Sequence, residues 1–142
     1  MNKFQERLQE LLEDNNLSRL QLSKNIGISF ETLNGYFNKN FYPELSIAVK
    51  LSNYFNCSIH YLLGLTDDEK ENDNNNLTFI ETLKKLIKEK HISVKKLMDN
   101  LNMSENNFYR WQRNTTKPSM DSLIALANFF DVSIDYLIGR EK

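Results

Sequence analysis

Phe55-Asn-Cys-Ser-Ile-His-Tyr-Leu-Leu-Gly64 returns seventy-five positions later as Phe130-Asp-Val-Ser-Ile-Asp-Tyr-Leu-Ile-Gly139. A match of that length calls for sliding the whole chain by the same interval, because internal repetition governs the reading of any fold that contains it. Without a gap, Phe4 lands on Phe79, Glu6 on Glu81, Leu8 on Leu83, Leu11 on Leu86, Ser18 on Ser93 and Leu22 on Leu97. Asn25 meets Asn100, Ser29 meets Ser104, Pro43 meets Pro118, Leu51 meets Leu126 and Asn53 meets Asn128. With the six identities inside the quoted stretch, seventeen positions agree between Phe4 and Gly64, and pairs such as Leu12/Ile87, Leu33/Phe108 and Tyr36/Trp111 are alike in kind. The 142 residues therefore read as two small domains, residues 1–65 and 78–142, joined by residues 66–77.

The joining stretch, from Thr66 to Asn76, contains no apolar residue. It cannot bury enough surface to offset its ordering entropy, so it is expected to be a flexible linker. About twelve such residues span roughly 20 Å root-mean-square and about 40 Å when stretched.

Composition removes several classes of function. The chain is 40% hydrophobic and 26% charged with a net charge of −1, which suits a globular protein and excludes a polycationic tail. The single cysteine, Cys57, excludes an intramolecular disulfide and a multi-cysteine zinc site. The start, Met1-Asn2-Lys3-Phe4, runs straight into a polar helical pattern, and no apolar run approaches the roughly 18 residues of a membrane span. A cytoplasmic, reducing location is expected, with no membrane partner. Only 4 Gly and 2 Pro argue against Gly-rich phosphate loops and against a turn-rich all-β fold.

Within each copy the apolar period is helical. Phe4, Leu8, Leu11 and Leu12 fall on one helix face, and Asn16 is a candidate left-handed stop. Ser18 is placed to cap a second helix that turns Leu22 and Ile26 inward. Gly27 turns the chain, and Ser29 caps a third helix with Leu33, Tyr36 and Phe37 inward. A loop through Pro43 leads to a fourth helix with Leu45, Ala48, Leu51, Ser52 and Phe55 on one face. Ser58 caps a last short helix, Ile59 to Leu63, closed by Gly64. The second copy runs in parallel with Ser93, Ser104 and Ser133 as caps. Five short helices with a tight turn between the second and third make a helix-turn-helix layout.

The stretch Phe4-Gln-Glu-Arg-Leu-Gln-Glu-Leu-Leu-Glu-Asp-Asn-Asn-Leu-Ser18 resembles the opening of the Cro/repressor-type (XRE-like) helix-turn-helix family. Asn25-Ile-Gly-Ile-Ser29 resembles its turn, and Pro43-Glu-Leu-Ser-Ile-Ala48 its fourth helix. Asn106-Asn-Phe-Tyr-Arg-Trp-Gln-Arg-Asn114 resembles its recognition helix, and both copies of the quoted repeat resemble its end. The resemblance covers nearly everything but the linker, and the ordered set occurs twice. It implies an all-α chain of two tandem five-helix lambda-repressor-like domains, and a bacterial or phage transcription regulator. Two departures stand out. Where the family usually has Glu and then Gly near the end of the recognition helix, this sequence has Phe37 and Lys39, or Gln112 and Asn114. The turn glycine is Gly27 in the first copy and Asn102 in the second, a residue that still tolerates the left-handed region.

A protein of this kind presents its third helix to the major groove and donates to phosphates from the flanking turns. In the second copy Glu105, Asn106, Asn107 and Arg110 are the base-reading candidates. Asn pairs bidentately with adenine and Arg with guanine, while Glu105 accepts from cytosine or favours the helix N-terminus. Tyr109, Arg113, Thr115, Thr116 and Lys117 are the phosphate candidates. The first copy offers the weaker set Arg19, Glu31, Thr32, Asn34, Lys39 and Asn40. Gly35 stands there in place of Arg110, at a cost of about 1 kcal/mol relative to Ala in a helix. Charge follows the same division. Residues 1–66 are neutral, residues 67–77 carry net −4, and residues 78–142 hold eleven basic against eight acidic residues. A basic excess confined to the second copy suits phosphate binding there.

Catalytic and metal chemistry find no constellation. Cys57 and His60 have a Cys-x-x-His spacing, but their counterparts are Val132 and Asp135, so position 57 reads as an apolar core site. His91 aligns with Asn16 at a helix end. No His/Asp set is placed to activate a serine, so neither an enzyme, a metal nor a cofactor is expected. Tyr36 and Trp111 are read as core. The expected function is sequence-specific double-stranded DNA binding by a transcriptional regulator, a repressor, that reads through the second copy's third helix and locates to the nucleoid when bound. The rival reading is a protein-interaction module, an antirepressor or adaptor. Homodimerisation and a regulatory protein partner stay open, as does the first copy's role as DNA reader or protein contact.

Overall fold

A computed structural model describes residues 2–68 and 77–139. The chain divides into two compact units, Met1–Glu71 and Asn72–Lys142. The first holds α1 (Lys3–Asp14), α2 (Arg19–Ile26), α3 (Phe30–Asn38), α4 (Leu45–Phe55) and α5 (Ile59–Leu62). The second holds α6 (Phe79–Glu89), α7 (Val94–Asn100), α8 (Glu105–Gln112), α9 (Met120–Phe130) and α10 (Ile134–Ile138). No strand occurs among the described residues. Of the expected linker, residues 69–76 lie outside the described residues.

Helices this short are marginal alone and persist because one face of each is buried. In α1 that face is Phe4, Leu8, Leu11 and Leu12, all buried, each contributing about 1.5–3 kcal/mol of apolar transfer. Leu22, Leu33, Tyr36, Ala48, Leu51, Ile59 and Leu62 complete the first core, and α5 packs on both α1 and α4. Leu83, Leu97, Met98, Phe108, Trp111, Leu123, Leu126, Ile134 and Leu137 fill the second, where α10 packs on α6 and α9. Cys57 is buried among the core residues.

The ends of the helices are set by side chains that satisfy otherwise unpaired N–H groups. Ser18, Ser29, Ser58, Ser93, Ser104 and Ser133 each accept from a backbone N–H, as the sequence leads one to expect. Asn2, Thr78 and Ser119 do the same for α1, α6 and α9. At α6 the Glu81 carboxylate accepts from the Thr78 N–H (3.2 Å) and hydroxyl (2.9 Å). These bonds hold its pKa below the usual carboxylate value. Helix exits use left-handed residues: Asn16, Asn56, His91, Asn102, Asn114 and Asp131 all have φ between 52° and 58°.

Two side chains that the repeat does not share fasten the first unit. Gln5 is buried and donates through Nε2 to the carbonyls of Tyr36 (2.7 Å) and Lys39 (2.8 Å), closing the C-terminal end of α3. Arg7 stacks over the Tyr61 ring at 3.7 Å and donates to the Tyr61 carbonyl at 2.9 Å. Its guanidinium also reaches the Thr66 carbonyl (3.4 Å) and the Asp67 carboxylate (3.2 Å). The segment expected to begin the linker is thus tied to α1 at its first two residues.

Candidate nucleic-acid interface

In each unit a turn joins two helices that pack on each other, α2 on α3 and α7 on α8. Gly27 (φ 74°) makes the turn in the first unit and Asn102 (φ 55°) in the second. Asn therefore adopts the conformation the glycine has, as its short polar side chain allows. The N–H of Met103 bonds to the Met98 carbonyl at 2.9 Å, and that of Ile28 to Ser23 at 3.1 Å, so both turns close in the same way.

The rotation of α8 about its axis is fixed by Phe108 and Trp111, which are buried, with Trp111 edge-on to Phe79 at 5.7 Å. Tyr36, at the matching position of α3, is buried edge-on to Phe4 at 5.6 Å, so both aromatics belong to the core. With Phe108 and Trp111 inward, Asn106, Arg110 and Arg113 fall at i, i+4 and i+7 and are exposed along one stripe. Asn107 and Glu105 are partly exposed beside it. The Tyr109 hydroxyl donates to the Glu105 carboxylate at 3.3 Å, so these two candidates form one polar unit next to the stripe.

Beyond the helix, the Asn114 N–H bonds to the Trp111 carbonyl and the Thr115 N–H to the Arg110 carbonyl, with Asn114 left-handed. This Schellman arrangement ends α8 and turns Thr115, Thr116 and Lys117 into solvent. The Thr115 hydroxyl adds a bond to the Arg110 carbonyl at 3.1 Å. Arg110, Arg113 and Lys117 take no part in the salt bridges of the described residues.

α3 is built differently on the same scaffold. Phe30, Glu31, Thr32, Lys39 and Asn40 are exposed, and Asn34 is partly so. Arg19 and Asn34, which the sequence offers as separate contacts, are joined: the guanidinium donates to Asn34 Oδ1 at 2.6 Å and lies over the Phe37 ring at 3.8 Å. Thr32 is engaged in capping, its hydroxyl accepting from the Ser29 hydroxyl at 2.8 Å. At the end of α3 the chain leaves in extended form at Lys39 (φ −121°), where the second unit makes its left-handed turn. Sequence reasoning missed Gln5, which sets that exit; the mismatch with Ile80 in the repeat is the signal that marks it. Burial and, second, the nearby Glu44 charge push the Tyr36 phenol up to about 12.

Among the described residues, no group of three or more His, Cys, Asp or Glu is placed to hold a metal ion. No described helix is long and apolar enough to cross a membrane.

Two family models match, a helix-turn-helix model over residues 8–62 and the Cro/C1-type HTH DNA-binding domain over residues 82–142. Three relatives from Bacillus subtilis (strain 168) are similar to the chain. The HTH-type transcriptional regulator ImmR is 35% identical over 48 residues, 34% of this chain and 38% of that protein. The uncharacterized HTH-type transcriptional regulator YobD is 36% identical over 63 residues, 44% of this chain and 56% of that protein. The HTH-type transcriptional regulator AnsR is 32% identical over 63 residues, 44% of this chain and 54% of that protein. The matches span from about a third to just over half the length of these relatives. No solved structure matches the chain. Members of the family are helix-turn-helix regulators and not enzymes. One match falls on each copy of the repeat, so the chain carries two Cro/C1-type helix-turn-helix domains in tandem.

Proposed function

We propose that the chain is a sequence-specific double-stranded DNA-binding transcriptional regulator that acts as a repressor by occupying its site. α8 enters the major groove, with Asn106 and Arg110 on base edges and Glu105 and Asn107 beside them. Tyr109, Arg113, Thr115, Thr116 and Lys117 hold the phosphates on either side. The observation that carries this reading is the exposed Asn106–Arg110–Arg113 stripe, whose arginines have no carboxylate partner within the described fold. An arginine already paired would have to give up that partner before binding; these do not. The first unit assists binding, and the protein resides with the nucleoid when bound.

Selection from a random double-stranded DNA pool, followed by titration across a salt series, tests the reading. A defined site should be enriched, with log affinity falling linearly against log salt. Binding no tighter than to unselected DNA would refute it. That result would favour a protein-interaction module, for which the exposed Leu20, Phe30, Phe41 and Tyr54 of the first unit speak.

A further inference from the structure

Among the described helices, α4 is the one whose start has no side-chain cap. Ser, Asn or Thr accepts a backbone N–H at the other starts, whereas Glu44 makes no such bond. Its counterpart in the repeat, Ser119, caps α9. Glu44 instead lines an open cleft of about 490 Å3 together with Glu31, Gly35, Tyr36, Lys39 and Phe41. That volume is within the range of small-molecule sites. Gly35 leaves space in it, since nothing lies within 4 Å of the point where its Cβ would stand. Tyr36 is 3% exposed, its ring edge-on to Phe4 and Phe41 and its carbonyl accepting from Gln5. Its hydroxyl makes no hydrogen bond among the described residues, a state in which buried hydroxyls are seldom left. Two acids and a base share the cleft, yet none of Glu31, Glu44 and Lys39 takes part in a salt bridge of the described residues.

The second unit has none of this. The positions matching Glu31, Gly35, Tyr36, Lys39, Phe41 and Glu44 hold Asn106, Arg110, Trp111, Asn114, Thr116 and Ser119, so neither the acids, the phenol nor the open space recurs. The arrangement is a property of the first unit and not of the fold as such. We propose that this cleft binds a free α-amino acid with an apolar side chain. An ammonium group has three donors and no acceptor, which match the carboxylates of Glu31 and Glu44 and the phenol oxygen of Tyr36. The ligand's carboxylate meets the Lys39 ammonium, and its side chain lies over Gly35 against the Phe41 ring. A simple amine leaves Lys39 facing a like charge, and a simple carboxylate faces two; a zwitterion pairs all three. Bound there, the ligand covers α3 at Glu31 and Gly35 and withdraws the first unit from DNA. That consequence rests on the function proposed above; the binding itself does not.

The test is an NMR titration of the 15N-labelled full chain, without DNA, with L-leucine and L-phenylalanine. Phenethylamine and 3-phenylpropionate, which lack the carboxylate and the ammonium of L-phenylalanine, are the controls. At least one of the two amino acids should give saturable shifts confined to the backbone amides around Glu31–Glu44. Each control should bind at least about tenfold more weakly than L-phenylalanine, the size of one charged hydrogen bond. Glu31→Gln/Glu44→Gln should weaken L-phenylalanine and phenethylamine alike, whereas Lys39→Gln should weaken L-phenylalanine and leave phenethylamine no weaker. Gly35→Leu, whose side chain enters open space, should abolish binding with unchanged helix content by circular dichroism. No saturable shift with either amino acid, equal binding of L-phenylalanine and both controls, or a Lys39→Gln effect as large on the amine as on the amino acid overturns the proposal. Because no DNA is present, a failure of α8 to bind DNA leaves this titration unchanged, and a failure of the titration leaves the DNA reading to its own experiment.

Discussion

Cutting Arg110 back to Ala separates base reading from everything else α8 does. The side chain is exposed and lies outside the salt bridges of the described residues. The two bonds that reach residue 110, from the Thr115 N–H at 3.0 Å and hydroxyl at 3.1 Å, end on its backbone carbonyl, which Ala retains. Ala is also a strong helix former, so stability should change by no more than about 0.5 kcal/mol. Binding to the selected site should lose about 1–3 kcal/mol, roughly 5- to 150-fold, and discrimination should flatten at one base position. Arg113→Ala and Lys117→Ala are the controls. As phosphate contacts they should weaken all sequences alike and lower the salt slope by about one each. Fluorescence anisotropy on the selected site and its single-base variants, at several salt concentrations, reads both quantities. If Arg110→Ala weakens every variant equally and lowers the slope by one, Arg110 is a phosphate contact and the assignment of Asn106 and Arg110 to bases is wrong. If it changes neither affinity nor preference, α8 is not in the groove.

Gly64 and Gly27 share φ 74°, but a Cβ on Gly64 would stand 2.6 Å from Lys3 Cβ and 3.0 Å from its backbone, while Gly27 faces open space. Gly64→Ala should therefore cost about 2–5 kcal/mol, the left-handed strain plus overpacking, and Gly27→Ala only about 1–2. Thermal unfolding checks this, and equal losses would show that the approach of Gly64 to Lys3 is unimportant. Tyr36, with its phenol raised to about 12 chiefly by burial, keeps its proton in the fold after the unfolded chain has lost it. Its contribution is thus intact below pH 10 and lost as pH rises from about 10 to 12, the sign expected when the folded state binds more protons. A late tyrosine in the alkaline absorbance titration that disappears in Tyr36→Phe confirms it; its persistence in that variant would assign the shift elsewhere.

Much of this architecture was legible because local physics dictates it. Apolar spacing places Phe4, Leu8, Leu11 and Leu12 on one face whatever they pack against, and a serine before such a face caps it without outside help. The repeat added a control that a single domain lacks. Val132 opposite Cys57 marks a core site, and Trp111 opposite Tyr36 marks a buried aromatic. The α8 candidates were legible as a set for the same reason: once Phe108 and Trp111 face inward, the helical period puts Asn106, Arg110 and Arg113 outside.

What the sequence could not show are contacts between residues far apart in the chain. Arg19 and Asn34 each look available in the sequence, and only the packing of α2 on α3 brings guanidinium and amide to 2.6 Å. Gln5 lies more than thirty positions from the α3 carbonyls it caps, and Arg7 some sixty from Asp67. Periodicity carries no information about such pairs, because they depend on how helices cross. The sequence by itself determined two five-helix domains, their caps, their buried faces and the outward set on α8, all set within a few turns of helix. Tertiary structure alone decided which of the first unit's polar groups are already engaged and that Glu31, Gly35 and Lys39 share one open cleft, because both depend on which helices meet and at what distance.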